Sequence, residues 1–352
     1  MKAILLAGGK GTRLRPLTLH TPKPIVPIFD RPFLQYQIDL VRQVPEIDEV
    51  ILSLNYQPRR IEERFGDGEN LGVKIRYVVE PTPLGTAGAV KYAGESLTGS
   101  LVVLNGDVLT QVDLASVVRL HRARRARATI VLTPVENPSA YGLVETDADG
   151  NVQSFLEKPQ PDQITSNNIN AGIYVLEPET FDRIPQHVAW SIEKSFFPSL
   201  IERKETFLAF VDRGYWIDIG TPEKYRQAHR DIMDGRFATP PFANNGGAYR
   251  AIASDVRIED GAEIDGPCFI DQGCVLKAGA RIRPYTVLGR HCVIEEEAVV
   301  EDAIVWPNGR IGRDAVVRHS IVGRHCHVGR SAVLDGGVVL GDESVVTDYS
   351  RL

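Results

Sequence analysis

Glycines and cations occur together near the start of the chain, where a short apolar run ends. Residues 2–7 are followed by Gly8-Gly-Lys-Gly-Thr-Arg-Leu-Arg-Pro16, and further on Lys23 stands between two prolines in Thr21-Pro-Lys-Pro24. Glycines let the backbone approach an anion closely, so that N–H groups can bind its oxygens. The flanking prolines stiffen the backbone of Lys23 and so direct its ammonium group. Arg13 and Lys23 beside a glycine turn suit a triphosphate, and a plain tight turn is the alternative.

The glycine turn differs from the two common nucleotide-binding patterns. The P-loop sequence G-x-x-x-x-G-K-[ST] is absent, and Leu14 occupies the place of the third glycine in G-x-G-x-x-G. Two aspartates, Asp107 and Asp218, follow apolar segments and are either turn residues or ligands of the kind that Mg²⁺ prefers. Glu157 and Lys158 precede a proline, which predicts an extended backbone at both. Glu157 and Lys158 are either site residues or a surface ion pair without a functional role.

The elements that would position these residues follow from the hydrophobic pattern. Strands are predicted at 2–7, 50–54, 75–79, 101–104, 129–133 and 173–176, and helices at 33–44 and 86–93. This alternation predicts an α/β domain with a Rossmann-like, mainly parallel mixed sheet and helices on both faces. Ligands of such sheets bind beyond the carboxyl ends of the strands, which is where the glycine turn and Asp107 fall.

The C-terminal part of the chain repeats every six residues from Ile252 to Val346, with one-residue resets at Val305 and Val322. An aliphatic residue marks each step, and a small residue follows most of them four positions later. The cysteines are among these small residues: Cys268, Cys274, Cys292 and Cys326. A six-residue period predicts a left-handed parallel β-helix of hexapeptide repeats, with the aliphatic residues and the cysteines in its interior.

The same tail raises an acyltransferase alternative, because many hexapeptide proteins use a histidine base. His325 and His327 flank Cys326, as residues on the rim would, and no other acyl-carrier feature is present. We therefore expect a structural tail that assembles the chain into a homo-oligomer. The predicted organisation is a catalytic domain at 1–230, a linker at 231–250 and the β-helix at 251–352.

Composition excludes other classes of protein. A formal net charge of −6 argues against a general nucleic-acid binder. No apolar stretch approaches the ~20 residues that span a bilayer, so no membrane partner is expected. The first apolar run is too short for a signal peptide, and a cytoplasmic location is expected.

The motifs resemble, in order, those of the sugar-nucleotide pyrophosphorylases, and the resemblance covers nearly all of the first 230 residues. It rests on LAGGKGTRLRPLT, PKPIVP, EPTPLGTAGAV (80–90), LNGDV (104–108), PSAYGLVE (138–145), FLEKP (155–159), INAGIYVLEP (169–178), SIEKSFFP (191–198) and GYWIDIGTPEKY (214–225). Many members also carry a hexapeptide β-helix. Through PLGTAG, SIEKSFFP and GYWIDIGTPEKY, the chain is most similar to the mannose-1-phosphate guanylyltransferases.

The resemblance implies that a nucleoside triphosphate and a hexose 1-phosphate give a nucleotide sugar and pyrophosphate. It implies catalytic roles for Arg13, Lys23, Asp107 and Asp218, with the two aspartates holding Mg²⁺. The nucleotide is expected at Leu6, Ala7, Gly8, Gly9, Gly11, Thr12, Arg13, Lys23, Glu80, Gly85, Thr86, Asn105 and Gly106. The sugar phosphate is expected at Tyr141, Gly142, Glu157, Lys158, Asn170, Gly172 and Trp216.

The preferred base is expected to be guanine. Its N1–H and 2-amino groups are adjacent donors that one carboxylate can accept together, and the resemblance assigns this role to Glu80. The alternatives are a glucose-1-phosphate uridylyl- or thymidylyltransferase, and a regulatory subunit that binds nucleotide sugar without chemistry. The second is disfavoured because Arg13, Lys23, Asp107, Lys158 and Asp218 are all present.

Overall fold

The structure is a computed structural model that describes residues 1–95, 97–243 and 249–352. The chain forms two compact units, one of residues 1–9 and 34–216 and one of residues 10–33 and 217–352. The boundaries expected for the catalytic domain, linker and tail stay a prediction. The Asn244-Asn-Gly-Gly part of the predicted linker lies outside the described residues.

The elements of the first 233 residues include every strand and helix that the sequence predicts. The strands are β1 (Lys2–Leu6), β2 (Pro27–Ile28), β3 (Arg31–Pro32), β4 (Glu49–Leu54), β5 (Lys74–Val79), β6 (Leu101–Asn105), β7 (Val108–Thr110), β8 (Ala128–Pro134), β9 (Gly142–Thr146), β10 (Val152–Glu157), β11 (Asn168–Leu176), β12 (Phe207–Val211) and β13 (Trp216–Asp218). The helices are α1 (Phe33–Val41), α2 (Pro58–Phe65), α3 (Gly85–Gly94), α4 (Leu114–Ala123), α5 (Phe197–Glu202) and α6 (Pro222–Met233). Within the described residues, no helix combines the length and apolar character needed to cross a bilayer.

A mixed sheet forms the centre of the first unit, in the order β10-β9-β11-β6-β1-β4-β5, with β8 between β11 and β12. Strands β6, β1, β4 and β5 are parallel, whereas β11 runs antiparallel to β6, β8 and β9. The parallel strands are short apolar runs, as expected for strands covered on both faces. The predicted Rossmann-like α/β fold is confirmed. Because β1 lies between the parallel strands β6 and β4, its carboxyl end is flanked by the carboxyl ends of both.

The repeats form a parallel β-helix whose short strands stack into three sheets. Its strands are β14 (Arg250–Ile252), β15 (Arg257–Ile258), β16 (Glu263–Ile264), β17 (Cys268–Ile270), β18 (Val275–Leu276), β19 (Arg281–Ile282), β20 (Thr286–Leu288), β21 (Val293–Ile294), β22 (Val299–Glu301), β23 (Ile304–Val305), β24 (Arg310–Ile311), β25 (Val316–Arg318), β26 (Ile321–Val322), β27 (His327–Val328), β28 (Val333–Leu334), β29 (Val339–Leu340) and β30 (Val345–Val346). This confirms the predicted hexapeptide architecture.

The interior of the β-helix contains the aliphatic and small residues of the repeat. All four cysteines are buried and unbridged, and burial raises the pKa of the Cys268 thiol to about 11. His325 and His327 are exposed, as rim residues should be. Ile252 and Ile258 differ from the expected pattern, since 36% and 50% of their surfaces are exposed. They belong to the first coil, which has a neighbouring coil on one side only.

Candidate active site

The turns that follow β1 and β6 lie against each other at the carboxyl end of the sheet. These strands are parallel neighbours with Leu6 paired to Asn105. The Gly106 N–H donates to the Leu6 carbonyl oxygen at 3.0 Å. A Cβ atom at position 106 would lie 2.3 Å from that oxygen, so only glycine fits. The glycine turn after Leu6 and the turn that carries Asp107 are therefore in contact.

A buried glutamine of α1 fixes the Asp107 turn. Gln37 is 2% exposed, and its Nε2 donates to the carbonyl oxygens of Asn105 at 2.8 Å and Val108 at 2.9 Å. These two residues flank the Gly106-Asp107 pair, so one side chain holds both ends of the turn. Gln37 belongs to no recognised motif, and its only signal in the sequence is a polar residue on the buried face of a helix.

The second unit brings the Lys23 segment against the glycine-rich loop. Gly11 has a left-handed φ of 59°, and its carbonyl oxygen accepts a hydrogen bond from the Thr18 hydroxyl at 2.7 Å. A Cβ atom on Gly11 would lie 3.2 Å from the Cβ of Lys23. Lys23 begins a short 3-10 turn and is only 8% exposed. Glycine therefore permits both the dihedral angle and the close approach to Lys23.

Arg13 lies over the backbone of Gly220 in the same unit. A Cβ atom at position 220 would be 2.7 to 2.8 Å from three atoms of the guanidinium group. Asp218, two residues earlier, is 8% exposed and forms an ion pair with Lys224 of α6. Arg13 and the Asp218 turn, which are far apart in the sequence, are thus brought together. Lys224 is a further cation that the sequence analysis did not single out.

The two aspartates predicted to bind Mg²⁺ have the chemistry of a metal site that a substrate completes. Among the described residues, no group of three or more His, Cys, Asp or Glu side chains is arranged to hold a metal ion. Mg²⁺ is commonly bound by one or two carboxylates, while waters and substrate phosphates complete its shell. Asp107 in the first unit and Asp218 in the second are each a carboxylate of the type that such a metal takes.

Glu80 lies beneath the glycine turn in the first unit. It is 9% exposed, and its carboxylate accepts hydrogen bonds from the Ser53 hydroxyl at 3.1 Å and the Leu84 N–H at 3.0 Å. A Cβ atom on Gly8 would lie 3.3 Å from one of its oxygens. Because a carboxylate has about four acceptor positions, the two hydrogen bonds from described residues leave about two for a ligand.

The loop that carries Gly85 and Thr86 is held by the SIEKSFFP segment. Gly85 has a φ of 69°, and a Cβ atom there would lie 2.8 Å from the Trp190 carbonyl oxygen. The Thr86 hydroxyl donates to Glu193 at 3.0 Å and accepts from the Ile192 N–H at 2.8 Å. Ile192–Phe196 is a π-helical turn, a feature frequent at functional sites. Glu193 was not predicted as a site residue, although its motif was recognised.

Gly142 and Glu157 face each other across β9 and β10. A Cβ atom on Gly142 would lie 3.0 Å from a Glu157 carboxylate oxygen. Burial raises the pKa of the Glu157 carboxyl and Glu193 raises it further, whereas Lys158 and Lys194 act in the opposite direction. The extended backbone predicted for Lys158 is wrong, since its φ is 52°. Its N–H donates to the Tyr141 carbonyl oxygen at 3.0 Å, where β10 ends.

Asn105, Asn170 and Gly172 form a polar cluster where β6 meets β11. The Asn170 amide donates to the Tyr174 hydroxyl and accepts from the Gly172 N–H, both at 2.9 Å. Gly172 has a φ of 75°, and a Cβ atom there would lie 2.9 Å from Nδ2 of Asn105. In the described part of the chain, the buried Oδ1 of Asn105 has no hydrogen-bond partner. Such an acceptor is suited to a ligand hydroxyl or N–H.

Tyr141 and Trp216 form an aromatic pair with ring centroids 5.5 Å apart. The Trp216 indole N–H donates to the Ala171 carbonyl oxygen at 2.9 Å. Neither ring is buried in the core. The pair therefore presents apolar surface next to the Asn170–Gly172 cluster, because Ala171 lies between those residues.

The chain belongs to the nucleotidyl transferase family. The family model described as "Nucleotidyl transferase" matches residues 2–235, and a second model, "GMPPB C-terminal domain", matches residues 264–352. The family generally uses a divalent metal and takes a nucleoside triphosphate and a sugar 1-phosphate as substrates.

Three relatives agree with the family and are named for different substrates. A "Mannose-1-phosphate guanylyltransferase" of Mycobacterium tuberculosis is 39% identical over 81% of this chain and 77% of its own length. A "Probable mannose-1-phosphate guanylyltransferase 2" of Arabidopsis thaliana is 36% identical over 100% and 99%. A "UTP--glucose-1-phosphate uridylyltransferase" of Synechocystis is 34% identical over 78% and 80%.

A solved structure with a nucleotide analogue is also similar. HddC from Yersinia pseudotuberculosis complexed with GMP-PN is 30% identical, with a TM-score of 0.56, and the match covers 65% of this chain and 98% of that chain.

Proposed function

We propose that the protein transfers the guanylyl group of GTP to mannose 1-phosphate, forming GDP-mannose and pyrophosphate. The observation that carries this proposal is the contact between the turns after β1 and β6, made by Gly106 against Leu6. Backbone N–H groups and the Asp107 carboxylate thereby share one edge of the sheet. This combination suits a phosphate chain with its metal. The guanylyltransferase relatives support the choice of base and sugar.

The nucleotide is assigned to the two turns and to the loops beside them. Its phosphates would bind the backbone at 6–12, Arg13 and Lys23, and its base and ribose would bind near Glu80, Gly85, Thr86 and Asn105. The sugar phosphate is assigned to the polar residues Glu157, Lys158 and Asn170, to Gly142 and Gly172, and to the ring pair Tyr141 and Trp216. The raised pKa of Glu157 suits a group that exchanges hydrogen bonds with sugar hydroxyls.

The chemistry is an in-line attack by a sugar-phosphate oxygen on the α-phosphorus of the nucleotide, and pyrophosphate leaves. A phosphate monoester has a second pKa near 6, so its nucleophilic oxygen is ionised at neutral pH and needs no general base. What remains is alignment and charge neutralisation. Arg13 and Lys23 supply fixed cations for the phosphates. Mg²⁺, when held by Asp107 and Asp218, would supply further positive charge to the phosphate oxygens.

Guanine specificity is assigned to Glu80, whose two remaining acceptor positions match the N1–H and 2-amino donors of guanine. Uracil and thymine lack this pair of donors. A site built for one set of hydrogen bonds rejects a ligand without them by up to ~10⁴-fold. Assembly into a homo-oligomer through the β-helix and a cytoplasmic location stay predictions from the sequence.

The test is pyrophosphate release with Mg²⁺, crossing GTP, UTP, dTTP, ATP and CTP with the 1-phosphates of mannose, glucose and N-acetylglucosamine. GTP with mannose 1-phosphate should dominate, and Glu80→Gln should reduce its kcat/KM relative to that of UTP by at least ~10-fold. Glutamine keeps an oxygen for the Leu84 N–H, and the Ser53 hydroxyl can accept from its amide, so the fold is retained.

Each other outcome has a distinct meaning. Dominant activity with UTP or dTTP and glucose 1-phosphate would keep the reaction but overturn the substrates. An unchanged preference in Glu80→Gln would overturn the role of Glu80 alone. A folded protein that is silent with every pair would favour the non-catalytic, nucleotide-sugar-binding subunit.

A further inference from the structure

The β-helix contacts the segment that carries the two proposed catalytic cations. Residues 10–33 and the coils belong to the same compact unit. Contacts with the coils occur on both sides of Lys23, since Thr21 before it contacts Arg324 and Phe29 after it packs on the Phe269 ring at 5.1 Å. A tail whose only role is assembly would not require them.

Thr21 is tied to two coils of the β-helix. It is 1% exposed. Its hydroxyl accepts a hydrogen bond from the Arg324 guanidinium and donates to an Asp342 carboxylate oxygen at 3.3 Å. The other oxygen of Asp342 accepts a hydrogen bond from the backbone N–H of Arg324 at 2.9 Å, which links the two coil residues. One hydroxyl thus completes a closed set of polar contacts. Gly341, beside Asp342, also leaves room for Pro16, since a Cβ atom there would lie 3.1 Å from the Cβ of Pro16.

The residues after Lys23 are tied to α6 and, through it, to the β-helix. The Tyr225 hydroxyl donates to the Pro27 carbonyl oxygen and accepts from the Trp306 indole N–H at 3.1 Å. His229 Nε2 accepts from the Phe29 N–H at 3.2 Å. Burial lowers the pKa of His229 to about 4, which keeps the ring neutral and able to accept. The Arg324 guanidinium lies 4.8 Å above the Trp306 ring and joins the two sets of contacts.

We propose that Arg324 and Asp342 of the β-helix are positioning residues that fix Lys23 through Thr21. Pro22 and Pro24 restrict the backbone on both sides of Lys23, so a displacement of Thr21 is passed on instead of being absorbed. The tail thereby contributes to turnover within its own chain. This inference rests on the proposed function only for the role of Lys23.

The experiment compares Thr21→Val with Thr21→Ser in the full chain. Valine keeps the shape and removes the hydroxyl, whereas serine restores it. Thr21→Val should lower kcat for GTP by ~10-fold with a smaller change in KM, because a misplaced catalytic group affects the transition state most. Thr21→Ser should stay within ~2-fold of the wild type.

The matched control is Thr286→Val, which removes a buried hydroxyl that donates to the Val300 carbonyl oxygen inside the β-helix. It should lose stability comparably and keep its kcat. Hydrogen exchange of peptides from residues 10–33 gives a second readout, and exchange should rise in Thr21→Val but not in Thr286→Val or Thr21→Ser. Arg324→Lys, which keeps the charge but loses the planar donor group, should repeat both effects.

The outcomes separate this inference from the proposed function. Wild-type kcat and wild-type exchange in both Thr21→Val and Arg324→Lys would overturn it. Equal losses of kcat in Thr286→Val and Thr21→Val would show a general effect of stability and would also overturn the inference. A wild type that is silent with every substrate would remove the proposed function, while the exchange comparison would still decide whether the coils hold the segment.

Discussion

The turns near the proposed site and the corners of the β-helix use glycine in different ways. Gly106 and Gly220 have no left-handed dihedral angle, yet a side chain at either would collide with a neighbouring group. At the corners of the β-helix a left-handed dihedral angle does not require glycine, because polar residues such as His291 and Asp314 have φ angles of 57°. A left-handed conformation costs an ordinary residue only about 1–2 kcal/mol, whereas a backbone collision leaves no room for a side chain. Contact, more than dihedral angle, therefore determines where glycine is required.

The largest effect is expected at Gly106, where an added Cβ meets the carbonyl oxygen of Leu6. Gly106→Ala must separate the two turns, so we expect a loss of about 1–3 kcal/mol in the free energy of unfolding. Turnover should fall more than ~100-fold, because the Asp107 turn moves as well. Thermal unfolding and kcat measure the two effects. Gly99→Ala is the control, since nothing lies within 4 Å of a Cβ there. A fully active Gly106→Ala enzyme would contradict the contact.

An intermediate effect is expected at Gly220, where the three atoms nearest to the added Cβ all belong to the end of the flexible Arg13 side chain. Gly220→Ala should leave the unfolding temperature near that of the wild type while it displaces the guanidinium group. Turnover should fall by ~10-fold or more, but not below the turnover of Arg13→Ala, which lacks the guanidinium group altogether. If Gly220→Ala kept full activity while Arg13→Ala lost it, the observed position of Arg13 would not be the active one.

The smallest effect is expected at Asp314, an exposed corner residue of the β-helix. Asp314→Gly relieves the left-handed conformation but adds freedom to the unfolded chain, and the two effects oppose each other. The free energy of unfolding should change by less than ~1 kcal/mol, without a change in kcat. Denaturant unfolding measures this. A loss above ~2 kcal/mol would show that the corner depends on the carboxylate and not on its dihedral angle.

Much of the fold could be predicted because it is periodic or locally encoded. The six-residue repeat defines the β-helix, and apolar runs that end at glycines define the parallel strands. The antiparallel position of β11 beside β6 could not be inferred, because pairing partners distant in sequence leave no local pattern. Ile252 and Ile258 were expected inside, but a repeat does not reveal that its first coil is half covered.

The candidate site was predicted where residues carry motifs and missed where they act by contact. The glycine turn and the aspartates follow strands, so their motifs are visible. Gln37 and Lys224 were missed because each acts by holding another residue, and the distances involved depend on tertiary packing. The prediction for the Lys158 backbone was wrong for a related reason, since the following proline sets only a local preference, whereas the turn at the end of β10 depends on tertiary structure.

The two one-residue resets of the six-residue repeat can be compared with the contacts that the coils make. Both fall on one side of the β-helix, and the corner before Val305 contains Asp302, which pairs with Arg226 and Arg230 of α6. Coils of a solenoid are normally interchangeable, because each touches only its neighbours. Here the count of coils is anchored, since inserting one ahead of Asp302 would put later contacts out of phase. Coils can therefore be added after Asp342 without disturbing these contacts, but not before Asp302.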